Sequence, residues 1–318
     1  QTGFNDKAFD LLEAVLSQCL ILTAHHNCVA CLQDMHESII SHTLSRKRIP
    51  LWARPNWAMR LLKARSRRRT ARCIERISHR GDGIVLLAKS FVRELSVFTD
   101  RVDLDEVFPI PNPCPFSPDV SALEEKQKSI LYVGRLENGQ KRVDRLLAIW
   151  EKLSPDFPEW RLDIVGDGGD AEALKKQAKE MNLKRLTFHG SCEPVPFYRK
   201  ATVLLLPSDF EGFGMVLVEA QAFGCIPVAG HSFSAIESVI SDEKSGFVVG
   251  KENIQAYCDK AALLMAGSGR VASMQRAALE QASRFHPEKV TSEWLKCIEA
   301  SAHKRGKSSS GMNEARSL

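Results

Sequence analysis

A chain of 318 residues, 44% hydrophobic and 26% charged, can bury a sizeable core and is long for one small domain, so two domains are expected. Aromatic residues at 7%, with 19 glycines and 14 prolines spread along the chain, exclude collagen-like, low-complexity and disulfide-scaffold classes. The net charge of +5 conceals an asymmetry, because residues 46–80 carry thirteen Arg or Lys against one acid, Glu75, a local +12 that leaves −7 for the rest.

In chain order, a helix over 6–16 and strands over 18–23 and 29–33 come first. Cys28 and Cys31 form a C-x-x-C with His25, His26 and His36 nearby, but no second pair follows, and the run reads as an apolar strand with two small buried thiols rather than a zinc site. Nine cysteines at irregular spacings, with no signal-peptide pattern, suggest reduced thiols in a cytoplasmic protein. No run reaches the roughly 18 consecutive apolar residues of a membrane span. The best candidate, 19–32, is broken by His25, His26 and Asn27, so the chain reads as soluble or peripheral at a membrane. It opens on Gln1 with no methionine before Met35, and reads as a fragment or processed form.

Within the basic stretch, Trp57, Leu61, Leu62, Ala64, Ala71, Ile74 and Ile77 recur at largely helical spacing between arginines and lysines. Such a basic, moderately amphipathic helix is either a solvated face or a contact for an anionic membrane surface or a phosphate-bearing acceptor. It lacks aromatic interleaving or an RNA-binding signature, so nucleic acid is not expected. A strand over 84–88, a helix near 91–97 and a strand over 107–110 follow. Pro109, Pro111, Pro113, Pro115 and Pro118 then mark an extended linker, since prolines at that density stop helix and central strand alike.

From residue 129 the chain alternates short apolar runs with amphipathic segments. Strands are expected over 129–133, 161–165, 186–189, 202–206, 226–229 and 247–249. Helices are expected over 143–153, 170–181, 195–200, 215–223, 235–240, 254–266 and 270–284. The series predicts an α/β fold with a doubly wound, mostly parallel sheet. The domains are then 1–127, an incomplete acceptor-side domain with its linker; 128–285, the ligand-binding domain; and 286–318, a terminal helix and tail. The tail from 301 is expected to be disordered.

Ligands of such sheets bind beyond the carboxyl ends of the strands. Four loops stand out there: Gly134-Arg135 with Lys141 before the next helix, Gly166-Asp167-Gly168-Gly169, Gly190-Ser191, and Asp209-Phe210-Glu211-Gly212-Phe213-Gly214 ahead of a helix at Met215. Glycines flanking Phe213 at a helix start leave amides pointing outward, a site for a diphosphate with Arg135 and Lys141 as countercharges. Glu219 follows Glu211 after seven intervening residues. A carboxylate accepts both hydrogens of a vicinal diol, and diphosphate plus diols means a sugar nucleotide.

The run GRLENGQKRVD, VGDGGD, FHG, LLLPSDFEGFGMVLVEAQAFGCIPVA and SGFVV resembles the donor-binding domain of retaining GT-B glycosyltransferases of the group 1 type, over about residues 128–300. The resemblance implies two Rossmann-like doubly wound domains, the N-terminal one incomplete here because its Gly-rich first turn is missing. It also implies a retaining, metal-independent transfer from a nucleotide-sugar donor to a glycan or lipid-linked hydroxyl acceptor, with no cofactor. Arg135 and Lys141 would bind the diphosphate, and Glu211 the hydroxyls of the transferred sugar. The amides of Phe213, Gly214 and Met215 would meet its phosphate or sugar, and Glu219 the ribose diol. Gly134 and Gly166 would permit close approach, and Pro194 and Val195 would line the base. His36, after the strand over 29–33, resembles a histidine facing the donor sugar. Asn112 would sit in the hinge, and HPEKVTSEWLKCIEA resembles a terminal helix packing back on the first domain.

Three other readings compete. An NAD-dependent oxidoreductase needs G-x-G-x-x-G, which Gly166-Asp167-Gly168-Gly169 is not. A metal-dependent transferase needs a D-x-D, but Asp103-Leu104-Asp105 lies beside the linker, away from the donor loops. The remaining alternative is a catalytically inactive sugar-nucleotide-binding or scaffold protein.

Overall fold

A computed structural model describes residues 21–23, scattered positions between 64 and 79, and 81–314 except 268. The expected helix over 6–16, the strand over 29–33 with the C-x-x-C and most of the basic stretch lie outside the described residues, as does His36. The chain divides into two compact units, Gln1–Pro111 with Glu288–Leu318, and Asn112–Pro287.

In the first unit, β1 (Ile21–Thr23), β2 (Gly83–Leu86) and β3 (Val107–Pro109) form a parallel sheet in that order. Helix α1 (Lys89–Phe98) follows β2. Val85 and Ile110 are buried against Val290 and Cys297 of the terminal helix, with Phe108 and Trp294 packed on the same cluster. Asp103 accepts from the amide of Asp105 and caps a single 3-10 turn, Leu104–Glu106, which gives this D-x-D a local structural use. In the basic stretch, positions 64, 65, 68, 71, 72, 74–76 and 78 are helical. Arg65, Arg68, Arg72 and Arg76 are exposed and Ile74 is buried. At about 100° per residue the four arginines share one stripe, with Ile74 on the opposite side.

The second unit is a six-stranded, all-parallel sheet with strand order β6-β5-β4-β7-β8-β9. The strands are β4 (Gln127–Val133), β5 (Arg161–Val165), β6 (Leu186–Gly190), β7 (Ala201–Leu206), β8 (Ile226–Gly230) and β9 (Phe247–Val249). Every residue of β7 and β8 is buried, which is why they read as continuous apolar runs rather than alternating ones. The connecting helices are α2 (Val143–Leu153), α3 (Ala171–Glu180), α4 (Val195–Lys200), α5 (Met215–Ala222), α6 (Ile236–Val239), α7 (Ile254–Met265) and α8 (Arg270–Ala282). Helix α2 turns Val143, Leu146, Leu147, Trp150 and Leu153 inward at three- and four-residue spacing. Helix α5 is apolar nearly all round and is packed by α8. Its buried Gln221 donates to the carbonyls of Leu217 and Val239.

The stretch before 128 belongs to the second unit, which begins at Asn112. Prolines stop regular structure there, but Cys114 donates to the Phe285 carbonyl at 2.7 Å and Asp119 to the Ala222 carbonyl at 2.7 Å. Arg199 pairs with Asp119 and Glu125 and reaches the Ser121 hydroxyl. The expectation of a disordered tail is corrected over the described residues: α9 runs from Pro287 to Glu314. Its packed first half, down to buried Ser301, supplies the nucleus, and extending an existing helix costs far less than starting one.

Candidate functional site

Strand order places the site. Numbered within the second sheet, the strands run 3-2-1-4-5-6, so the winding reverses between β4 and β7. The carboxyl ends of these neighbours carry the Arg135–Lys141 loop and the Asp209–Gly214 loop.

Lys141 and Glu211 meet directly. Nζ donates to Oε1 at 2.7 Å and Oε2 at 2.9 Å, with the side chains 14% and 8% exposed. Arg135 is 62% exposed and turns to Glu137 (3.2 Å) and the Gln140 side-chain carbonyl (3.1 Å). One cation is therefore buried in its ion pair and the other is exposed at the surface. The Tyr132 hydroxyl donates to the Arg135 carbonyl at 2.9 Å, and burial keeps that phenol protonated by raising its pKa.

Asp209 fastens the second loop to the first. Arg142 donates to its Oδ2 at 3.1 Å and Arg145 to its Oδ1 at 2.9 Å, while Arg145 also reaches the Pro207 carbonyl at 2.6 Å. The Asp209 amide donates to the Gln140 carbonyl at 2.9 Å, and Lys251 donates to the Asp209 carbonyl at 3.3 Å. Gln140 closes the ring by donating to the Phe210 carbonyl at 3.2 Å.

Gly214 stands in the left-handed region, φ +74°, and turns the chain into α5. The phenyl of Phe213 is buried edge-on against Phe285, so of this residue only the backbone faces the loop. Met215 opens α5; the Leu217 amide of the first turn donates to the Gly214 carbonyl at 2.8 Å, while those of Met215 and Val216 have no partner inside the helix. Glu219, one turn further, is half-buried and accepts from the Tyr198 hydroxyl at 2.8 Å. Burial raises its pKa above the usual glutamate value, the Tyr198 hydrogen bond opposes that, and the charge of Glu193 adds to it. Val195 starts α4 and is half-buried.

The glycines let the two loops pack closely together. A Cβ on Gly166, at φ +135°, would stand 1.9 Å from the Gly134 carbonyl oxygen, and one on Gly168 would stand 2.6 Å from that of Leu136. Their first use is to let one loop back the other.

A family model described as "Glycosyl transferases group 1" matches residues 115–282, more than half of the chain. The chain belongs to the group 1 glycosyl transferases. Among similar members of this family is an uncharacterized glycosyltransferase of Haemophilus influenzae, 28% identical over 215 residues, covering 67% of this chain and 60% of that protein. Another is the GalNAc-α-(1→4)-GalNAc-α-(1→3)-diNAcBac-PP-undecaprenol α-1,4-N-acetyl-D-galactosaminyltransferase of Campylobacter jejuni, 29% identical over 221 residues, covering 68% of this chain and 60% of that protein. The chain thus spans about three fifths of the length of these relatives. The solved structure of Anabaena HepE in complex with UDP superposes with a TM-score of 0.64 at 17% identity, covering 73% of this chain and 68% of that one. The fold is that of the GT-B transferases.

Within this group 1 glycosyl transferase, the structure gathers Arg135, Lys141, Glu211 and the amides of 213–215 at one switch point. Sequence reasoning gave no role to Gln140, Arg142, Arg145, Asp209 or Tyr198. The charged trio in Arg142-Val143-Asp144-Arg145 was a signal, since a cation among the inward positions of α2 must find a partner.

Because Gly166 backs the Arg135 loop, Gly166→Ala forces a methyl group into the Gly134 carbonyl in a conformation that side chains avoid. Urea unfolding is expected to show a loss of about 3 kcal/mol. An unchanged midpoint would refute this packing.

Proposed function

We propose that the complete protein transfers a sugar, with retention of configuration and without a metal ion, from a nucleotide-sugar donor to a hydroxyl of a glycan or lipid-linked acceptor. The observation that carries this reading is the convergence of Lys141–Glu211, the exposed Arg135 and the α5 amides at the β4/β7 switch point. Arg135 and Lys141 are paired with Glu137 and Glu211. A diphosphate brings its own negative charge, so Arg135 would leave Glu137 for it and Lys141 would be shared between phosphate and Glu211. Amides at the N-terminus of α5 add fixed positive potential. Glu211 would then orient the hydroxyls of the transferred sugar, Glu219 the ribose diol, and the segment at Val195 the base.

Retention is thought to need attack and departure on one face of the sugar, with the leaving phosphate helping to deprotonate the acceptor. What the protein must supply is position and charge stabilisation of the leaving diphosphate, which is what cations and backbone amides in a partly buried site provide. Anabaena HepE was solved with UDP, which makes a uridine nucleotide the first donor to try. The Campylobacter relative is named for a PP-undecaprenol-linked acceptor, and a lipid-linked acceptor of this chain would lie at a bilayer surface. The arginine stripe of the first unit suits that location. Each basic residue near an anionic leaflet contributes on the order of 1 kcal/mol.

Arg135→Ala is expected to lower turnover by about two to three orders of magnitude, as for the loss of one oxyanion donor, with the fold intact because the side chain is exposed. Lys141→Ala should lose as much activity and also about 3 kcal/mol of stability, since it removes the Nζ donor from both oxygens of buried Glu211. Nucleotide release with acceptor present measures both, and wild-type turnover in folded Arg135→Ala would exclude this role. Excess EDTA should leave wild-type turnover unchanged; loss restored by manganese would return Asp103 and Asp105 to consideration. Co-sedimentation should show salt-sensitive binding to anionic vesicles, little to neutral ones, and loss when Arg65, Arg68, Arg72 and Arg76 are all changed to Ala. Equal, negligible binding to both vesicle types would mean surface charge alone.

A further inference from the structure

Tyr198 lies on α4, behind the loops described above, and every part of it is held. Its ring is fully buried, stacked on Phe223 at 6.0 Å and 11° and set edge-on to Phe116 at 6.5 Å. Its amide donates to the Pro194 carbonyl at 3.0 Å, and its own carbonyl accepts from Lys126 Nζ at 2.8 Å. A ring fixed in this way leaves the hydroxyl one place to be, and that place is 2.8 Å from Oε2 of Glu219. Burial raises the phenol pKa, so the group stays a donor across the working pH range. Among the described residues, the other carboxylate oxygen, Oε1, receives no hydrogen bond. A carboxylate has about four acceptor positions, so one bond from Tyr198 leaves enough for a diol.

We infer that Tyr198 is the positioning residue for nucleotide recognition: its hydroxyl aims Glu219 and keeps it ionised as the acceptor for the ribose diol. This rests on the reading of the site as a nucleotide-sugar site. The charged and titratable groups facing Glu219 are Tyr198 from α4, Glu193 from the loop before it and Cys114 from the extended segment. The Cys114 thiol, pushed up to about 11 by burial, is neutral near pH 7 and does not compete. Burial and Glu193 favour the protonated carboxyl, and Tyr198 is what opposes them. A protonated Glu219 loses acceptor capacity, so nucleotide binding should fail as pH falls through its raised pKa. Removing the phenol hydroxyl should move that acid limb to higher pH.

The test is calorimetric titration of the full chain with UDP and with inorganic pyrophosphate, which lacks a ribose, between pH 5 and pH 8. Tyr198→Phe keeps the ring and its packing. It should weaken UDP binding about tenfold, as expected for one hydrogen bond to a charged group, shift the acid limb upward, and leave pyrophosphate binding unchanged. In a Glu219→Ala background the same change should cost nothing further. Wild-type affinity and pH dependence in Tyr198→Phe would overturn the inference, as would a loss that extends to pyrophosphate or persists in the Glu219→Ala protein, since either marks general packing. Failure of the underlying reading looks different: the wild-type chain would not bind UDP, or Glu219→Ala would bind it as tightly as wild type.

Discussion

The pairing of β4 with β7 at the point where the winding reverses is the constraint on which the candidate site depends. Helices leave these two neighbours toward opposite faces of the sheet, so the loops at their carboxyl ends bound a crevice instead of being covered. A crevice alone does not fix two loops to tenths of an ångström. Asp209 does that, because its side chain is claimed by Arg142 and Arg145 and its backbone by Gln140 and Lys251. With Asp209 tied to the start of α2, Lys141 and Glu211 have little freedom except to meet.

The electrostatics of that crevice follow from unequal burial. Lys141 and Glu211 are desolvated together, and such a pair is tolerated because each satisfies the other. Arg135 sits in water on Glu137 and Gln140, where an ion pair is worth little and is readily exchanged. The charges of the cluster are thus paired, and its exposed cation, Arg135, can be recruited by an incoming anion at small cost. The backbone behind it is rigid for a steric reason. Gly166 and Gly168 allow the β5 loop to lie against the carbonyls of Gly134 and Leu136, so the Arg135 loop is backed by main chain and not by compressible side chains.

The extended segment 112–125 shows the same economy. Arg199 at the end of α4 holds it through Asp119, Ser121 and Glu125, while the preceding residue, Tyr198, reaches Glu219. One short helix therefore secures the entry to the second unit with one side chain and a candidate recognition carboxylate with the next.

The sequence by itself determined the α/β alternation of the second unit, since apolar runs bounded by glycine or proline and amphipathic stretches at helical spacing have few other uses. It also determined which residue types stand at the strand ends, so Arg135, Lys141, Glu211 and Glu219 were legible as candidates. It could not say that Lys141 and Glu211 touch, because the 70 residues between them are brought together only by strand order. Nor could it tell that the prolines before 128 belong to a pinned segment, since Arg199, which holds it, lies more than 70 residues downstream. The use of Gly166 was equally hidden: a glycine spared for a ligand and one spared for a neighbouring carbonyl read identically, and only the packing of the two loops distinguishes them. Tyr198 carried no signal in the sequence beyond its place in an expected helix, and only the fold set its hydroxyl beside Glu219. Local periodicity is written into the chain residue by residue, whereas each of these partnerships is a long-range contact that exists only once the sheet has closed.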